Sequence, residues 1–226
     1  MNFSFEPIAI IHSDFPSKFA IPRQSGILKE SLSRISFLPA FSNKEALRGL
    51  ETFSHLWLLW IFSENIRNGF NPTVRPPRLG GNKRMGVFAT RSPFRPNPIG
   101  LSAVKIEAIL FEKKSEIIVS GADLMDGTPI VDIKPYIPYT DKIENASDGF
   151  LKDISEKALD VHIPEILLEK IPKEKQATLF KILKNDPRPA YKQNDKKIYG
   201  FPFASFEIKF QVLENALSVK EISERK

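Results

Sequence analysis

Two stretches of this chain hold side chains that could do chemistry together. The first, residues 71–102, reads NPTVRPPRLGGNKRMGVFATRSPFRPNPIGLS. Between Asn65 and Ile106 stand eight basic residues, Arg67, Arg75, Arg78, Lys83, Arg84, Arg91, Arg95 and Lys105, and no Asp or Glu. The formal net charge of the 226-residue chain is +6, so the basic excess belongs to this segment and the remainder is slightly acidic. Pro72, Pro76, Pro77, Pro93, Pro96 and Pro98 fix φ, while Gly69, Gly80, Gly81, Gly86 and Gly100 permit sharp turns and close approach. Arginines on so stiff a backbone lose little conformational entropy on binding, and their planar forks match phosphate or carboxylate. A solvated basic loop, the usual meaning of a charge run, would not need that spacing of Arg, Pro and Gly.

The second stretch, residues 123–136, reads DLMDGTPIVDIKPY and sets Asp123, Asp126 and Asp132 about an Asp-Gly turn. Carboxylates beside a basic segment can neutralise it, bind a metal, take a proton, or hold a ligand's ammonium and hydroxyls. Ordinary structural use in the turn accounts for at least one of the three. Two shorter runs add to the inventory. Pro22-Arg23-Gln24 could present a fork and an amide from a fixed turn, and residues 186–191, DPRPAY, put Arg188 and Tyr191 on a rigid one, a pairing suited to phosphate contact and base stacking. The chain has no cysteine, which excludes disulfides, thiolate nucleophiles and Cys-ligated metal sites, and His12, His55 and His162 lie in no metal-ligand spacing. Neither a bound metal nor a membrane span is expected, and the basic patch points to a polyanion, nucleic acid first. The N-terminus has no basic region before an apolar run, so the chain reads as unexported and cytoplasmic.

The elements that must position these groups read as mainly β. Residues 5–11, 33–38, 101–111, 116–120 and 129–133 form short strands, and the apolar run FSHLWLLWIF at 53–62 predicts a strand buried on both faces, with His55 a hydrogen-bonded core residue and both tryptophans core. Ser42-Asn43-Lys44-Glu45 has the form of a capping box for a short helix over 43–48. Close-spaced strands with Pro/Gly turns argue for an antiparallel sheet or barrel, and no strand leads into G-x-G-x-x-G, so a dinucleotide fold is unsupported. A polar, turn-rich stretch at 139–149 marks a linker, giving units of 1–145 and 146–226. The second reads as small and α+β, with a strand at 159–163, helices at 164–171 and 173–184, and strands at 198–201, 206–213 and 217–222.

The run RPPRLGGNKRMGVFATRSPFRPNPIG, with DLMDGTPIVDIKPY, PRQ, HLW and DPRPAY in the same order, closely resembles the TrmO family (YaeB or TsaA-like), S-adenosylmethionine-dependent tRNA methyltransferases, over nearly the whole chain. The resemblance implies a single-sheet, seven-stranded β-barrel with a small C-terminal domain, a homodimer, and methylation of the exocyclic nitrogen of threonylcarbamoyladenosine beside the tRNA anticodon. It implies S-adenosyl-L-methionine contacts at Pro22, Arg23, Gln24, Ser63, Glu64, Arg91, Leu101 and the turn Asp123, Leu124, Met125 and Asp126. Ser63-Glu64 departs from the family's His-Gln, which would leave that contact to backbone groups.

The residues agree with that chemistry in outline. Asp123 or Asp126 could meet an ammonium or ribose, and Arg23 or Arg91 a carboxylate. The acceptor nitrogen is a poor nucleophile, so catalysis must come from positioning, with Asp126 the candidate base. Arg95, Asn97 and Arg188 are candidates for the threonyl carboxylate and RNA backbone, Arg75, Arg78 and Arg84 for phosphates, and Tyr191 for stacking on an anticodon-loop base. A non-catalytic RNA-binding module is the alternative. A Mg²⁺-dependent phosphoesterase ranks last, because three turn carboxylates make a thin metal site.

Overall fold

Along residues 55–61 every second side chain is buried, and the same alternation runs through 99–104 and 116–119, so these segments share one interior. The computed structural model describes residues 4–225 apart from 68, 77, 78, 80–82, 153–157 and 189–196. Its strands are β1 (Ala9–His12), β2 (Leu32–Phe37), β3 (His55–Ile61), β4 (Thr73–Val74), β5 (Met85–Gly86), β6 (Ile99–Leu110), β7 (Glu116–Ser120), β8 (Pro129–Pro135), β9 (Asp160–His162), β10 (Ile198–Phe203), β11 (Phe206–Leu213) and β12 (Ala216–Glu224). Its α-helices are α1 (Pro138–Asp141), α2 (Glu165–Leu168) and α3 (Lys173–Lys184).

Six strands close a barrel in the order β1-β2-β7-β6-β3-β8, every neighbouring pair antiparallel. Among the described residues this is one strand fewer than the seven expected. The long β6 serves two neighbours, pairing with β3 from Ile99 to Lys105 and with β7 from Lys105 to Leu110, with a break of register between Ile106 and Ala108. One bent strand thus spans two faces, and the four-residue β1 closes the gap between β2 and β8. Ile11, Ile35, Leu56, Leu58, Val104, Ile117, Val119 and Leu124 fill the interior.

The second unit is a four-stranded sheet ordered β10-β11-β12-β9, a meander with β9 added parallel to β12. Helix α3 covers it through Leu179, Ile182 and Leu183, over a core of Phe201, Phe203, Ile208 and Phe210. Phe15 and Leu28, from the loop joining β1 to β2, are buried in this second core although they precede it by well over a hundred residues. That loop, residues 13–31, carries Pro22-Arg23-Gln24. It is pinned to the C-terminal unit by Ala204 N–H donating to the Asp14 carbonyl at 2.8 Å, by Lys175 Nζ on the Asp14 carboxylate at 2.5 and 2.7 Å, and by a Lys181–Glu30 ion pair. On the barrel side, Gly26 N–H donates to the Gly121 carbonyl at 2.8 Å and Asp126 N–H to the Phe15 carbonyl at 2.9 Å.

Three local expectations are corrected. β3 is buried on one face only, with Leu56, Leu58 and Trp60 inward and Trp57, Leu59 and Ile61 half-exposed outward, because a barrel strand turns alternate side chains to the interior and to the outer surface. His55 is exposed at the start of that strand, its Nδ1 bonded to Ser54 Oγ at 2.9 Å, since the strand's period places it on the outer face. The turn at Lys44–Leu47 is 3-10 rather than α, and its cap is Asn43, whose Oδ1 accepts from Glu45 N–H at 2.9 Å, while Ser42 Oγ instead accepts from Ser115 N–H at 2.7 Å.

Candidate active site

The alternation of β6 sends Gly100, Ser102 and Val104 inward, and a serine there is a polar group on a core face. Ser102 Oγ is satisfied on both sides. It accepts from Trp60 Nε1 at 3.0 Å and donates to Asp123 Oδ1 at 2.5 Å. The Trp60 ring lies directly over its cross-strand partner Gly100, where an added Cβ would stand 2.2 Å from the ring, so only glycine fits there. Burial pushes the Asp123 carboxyl above the usual carboxylate range, opposed by the Ser102 hydroxyl, by the positive charge of Arg91 and by the Ser25 backbone N–H.

Arg91 donates from Nη1 to Gln24 Oε1 and its charge acts on Asp123, so the basic segment, the Pro22-Arg23-Gln24 loop and the acidic turn meet at one end of the barrel. Lys18 Nζ, from the same loop, donates to the Glu64 carbonyl at 2.9 Å and ties Ser63–Asn65 to that loop. Arg23, Ser63 and Glu64 are exposed and Pro22 is half-buried. Leu101 alternates with Ser102 and is 56% exposed on the barrel's outer face.

Within the acidic turn the neighbours diverge. The Leu124 side chain is fully buried in the barrel core, and only its carbonyl, which accepts from Ser13 Oγ at 2.9 Å, is turned to the loop. The Met125 carbonyl accepts from Thr128 N–H and Oγ1. Asp126 is exposed, accepts from Ser13 N–H at 3.1 Å and lies 3.5 Å from His12 Nδ1. Asp132 is drawn away to Lys134 on the outer face.

In the basic segment, Arg95 Nη1 donates to the Thr90 and Ser92 carbonyls at 3.0 and 3.3 Å, which locks its own loop, and the Asn97 carbonyl accepts from Ile99 N–H at 2.8 Å. Arg84 Nη1 bonds Thr73 Oγ1 at 3.1 Å, and Arg75 is exposed. Arg78 and Tyr191 lie outside the described residues. Arg188 departs from the surface role expected of it. It is 6% exposed, with Nε and Nη2 each 2.8 Å from an oxygen of Asp186, because its turn folds the guanidinium inward onto the preceding carboxylate.

Sequence reasoning passed over Trp60, Ser102, Ser25 and Ser13. The signal for Ser102 was present, a serine in phase with inward apolar residues; the serines of the loop gave none. Among the described residues no group of three His, Asp or Glu side chains could hold a metal ion, and no helix is long and apolar enough to cross a membrane.

Comparison with known proteins bears on this site. Residues 10–142 match the family model described as the tRNA-methyltransferase O N-terminal domain, and residues 156–225 match the TrmO C-terminal domain. An Escherichia coli protein named tRNA (adenine(37)-N6)-methyltransferase is 41% identical over 233 residues, with 99% of each chain covered. A Pyrococcus abyssi protein named as a probable S-adenosyl-L-methionine-binding protein is 40% identical over 149 residues, covering 66% of this chain and 76% of its own. A crystal structure of TrmO from P. aeruginosa superposes with a TM-score of 0.81 at 32% identity, over 100% of this chain and 98% of that one.

Proposed function

The chain belongs to the tRNA-methyltransferase O family, and on that premise we propose that it methylates N6 of the adenosine next to the anticodon of tRNA, with S-adenosylmethionine as donor and the threonylcarbamoyl-modified base as acceptor. The observation that carries this reading is the meeting of Arg91 with Gln24 and Asp123 at one end of the barrel. A ligand with a carboxylate, an ammonium and a ribose diol needs a cationic fork beside acceptors, and these three side chains supply that set.

S-adenosylmethionine, when bound, supplies a methyl group made electrophilic by its sulfonium sulfur. Arg91, with the exposed Arg23, would hold its carboxylate, and Asp123 its ammonium or ribose. Pro22, Gln24, Ser63, Glu64, Leu101, Leu124 and Met125 would line it, Leu101 and Leu124 through backbone groups alone, since their side chains face the barrel's outside and its core. The N6 lone pair is delocalised into purine and carbonyl, so the protein's task is to hold that nitrogen in line and accept its proton. We assign the proton to Asp126, the exposed carboxylate of the turn, and the threonyl carboxylate to Arg95 and Asn97. Arg75 and Arg84, with Arg78 and Tyr191 on sequence grounds, would contact the RNA. Arg188 we assign instead to holding its turn.

We further take residues 1–145 as the methyltransferase unit and 146–226 as a unit that braces its cofactor loop, the whole working as a homodimer in the cytoplasm, where its tRNA is. Calorimetric titration with S-adenosylmethionine or its demethylated product, followed by mass spectrometry of tRNA nucleosides after incubation, tests the reading. Heat of binding and a mass gain of one methyl on the modified adenosine are expected. RNA binding without cofactor binding would leave the non-catalytic module in its place.

A further inference from the structure

The arm formed by β4 and β5 carries two phenylalanines that serve no core. Phe70 is 53% exposed and Phe88 73%, yet their rings stack on each other, centroids 6.0 Å apart at 25°. Their pairing is built in. Phe70 lies just before β4 and Phe88 just after β5, and the ribbon register, Thr73 opposite Gly86 and Val74 opposite Met85, brings the two stems together. Below them Val87 N–H donates to the Pro72 carbonyl at 2.9 Å, and Val87 itself is 1% exposed, with its carbonyl accepting from Thr90 Oγ1 at 2.8 Å. An anchored turn therefore holds Phe88 out in water, where an apolar ring pair is unfavourable unless something covers it.

The surroundings state what that cover is. The segment between Asn65 and Ile106 that forms the arm holds no acidic residue, and its cations include Arg84, bonded to Thr73 of the ribbon, and Arg67, three residues before Phe70, whose guanidinium lies over the Phe94 ring at 4.6 Å. An apolar protein patch pressed here would bury cations without counter-charges. An unpaired nucleotide brings a π-face for the rings and a phosphate for the arginines.

We propose that Phe70 and Phe88 form a stacking platform for an unpaired base of the substrate RNA loop other than the base that is methylated, with Arg84 and Arg67 gripping the adjoining phosphates. The platform rests on the functional reading above only in the identity of the RNA. A tRNA anticodon stem-loop carrying 2-aminopurine at successive loop positions is titrated with wild type and with Phe70→Ala, Phe88→Ala, the double variant and Phe88→Trp, by fluorescence and anisotropy at fixed salt. Each alanine variant is expected to bind about 10-fold more weakly, with Phe88→Trp close to wild type. One loop position should show 2-aminopurine quenching that the double variant abolishes. The salt dependence of binding should not change in the phenylalanine variants, since stacking releases no counterions, whereas Arg84→Ala should reduce its slope by about one. Cofactor affinity should be unchanged throughout.

Wild-type RNA affinity in the double variant overturns the platform. So does a double variant that turns a dimer into a monomer in sedimentation while RNA affinity per protomer is kept, because the rings then belong to a second copy. Loss of binding to anionic vesicles with RNA binding intact also overturns it, in favour of a lipid surface. If the wild type binds the loop through these rings but transfers no methyl group, the functional reading fails and the platform stands.

Discussion

Asp123 is a half-buried carboxylate, behind a tryptophan and a serine and in front of an arginine. Because burial raises its folded-state pKa, its contribution to stability is present below the ordinary carboxylate pKa and is lost as pH rises through the raised value. Asp123→Asn keeps an acceptor for Ser102 without the charge. Its thermal unfolding midpoint at neutral pH is therefore expected to equal or exceed that of the wild type, while cofactor affinity in calorimetry falls at least about 10-fold, as for loss of a hydrogen bond to a charged group. A drop in both would mean that the carboxylate serves the fold and not a ligand. Arg91→Ala should weaken the cofactor by a similar factor, and Arg91→Lys only partly restore it, since a point charge cannot replace a fork. Arg188 behaves differently. Breaking its buried pair with Asp186 by Arg188→Ala is expected to cost about 3 kcal/mol in denaturant unfolding, with the salt slope of RNA binding unchanged in the protein that remains folded.

At the scale of elements, the loop over residues 13–31 governs the site. It places Gln24 at Arg91 and Ser25 at Asp123 while its own apolar side chains, Phe15 and Leu28, are held in the core of the C-terminal sheet. Phe15→Ala should therefore cost about 3–5 kcal/mol and also weaken cofactor binding, although Phe15 belongs to the other core. Lys175→Ala removes a partly exposed ion pair with Asp14 and is expected to cost about 1 kcal/mol or less, with cofactor affinity down a few-fold and RNA affinity unchanged. Cofactor affinity insensitive to both substitutions would detach the C-terminal unit from the chemistry.

For the whole molecule, the segregation of charge sets the behaviour toward RNA. The net +6 arises in one segment on a slightly acidic remainder, so binding should be oriented as well as strong. The logarithm of RNA affinity is expected to fall linearly with the logarithm of salt, and Arg75→Ala and Arg84→Ala each to reduce that slope by about one. A flat salt response would contradict phosphate contact. The same segregation makes the polyanionic partner legible from residue types alone, because charge counting needs no knowledge of neighbours.

What the sequence determined by itself was everything carried by local period and composition: the strands other than β4 and β5, the stiffened cationic run, the turn at Asp126-Gly127, helix α3 and the family resemblance. What only the tertiary structure decided was which of these groups are wet and what they touch. Asp123 and Asp126 stand three residues apart in one turn, yet one is half-buried against Ser102 and the other is bonded by Ser13 N–H at the surface. His55 sits in an apolar run and is exposed, while Arg188 looks like a surface cation and is buried. Phe15 and Leu28 look like fillers for the barrel beside them and pack into the other core instead. Periodicity is a property of a few adjacent residues, whereas burial, pKa and pairing depend on chain segments a hundred residues away, and only closure of the barrel against the second sheet brings those together.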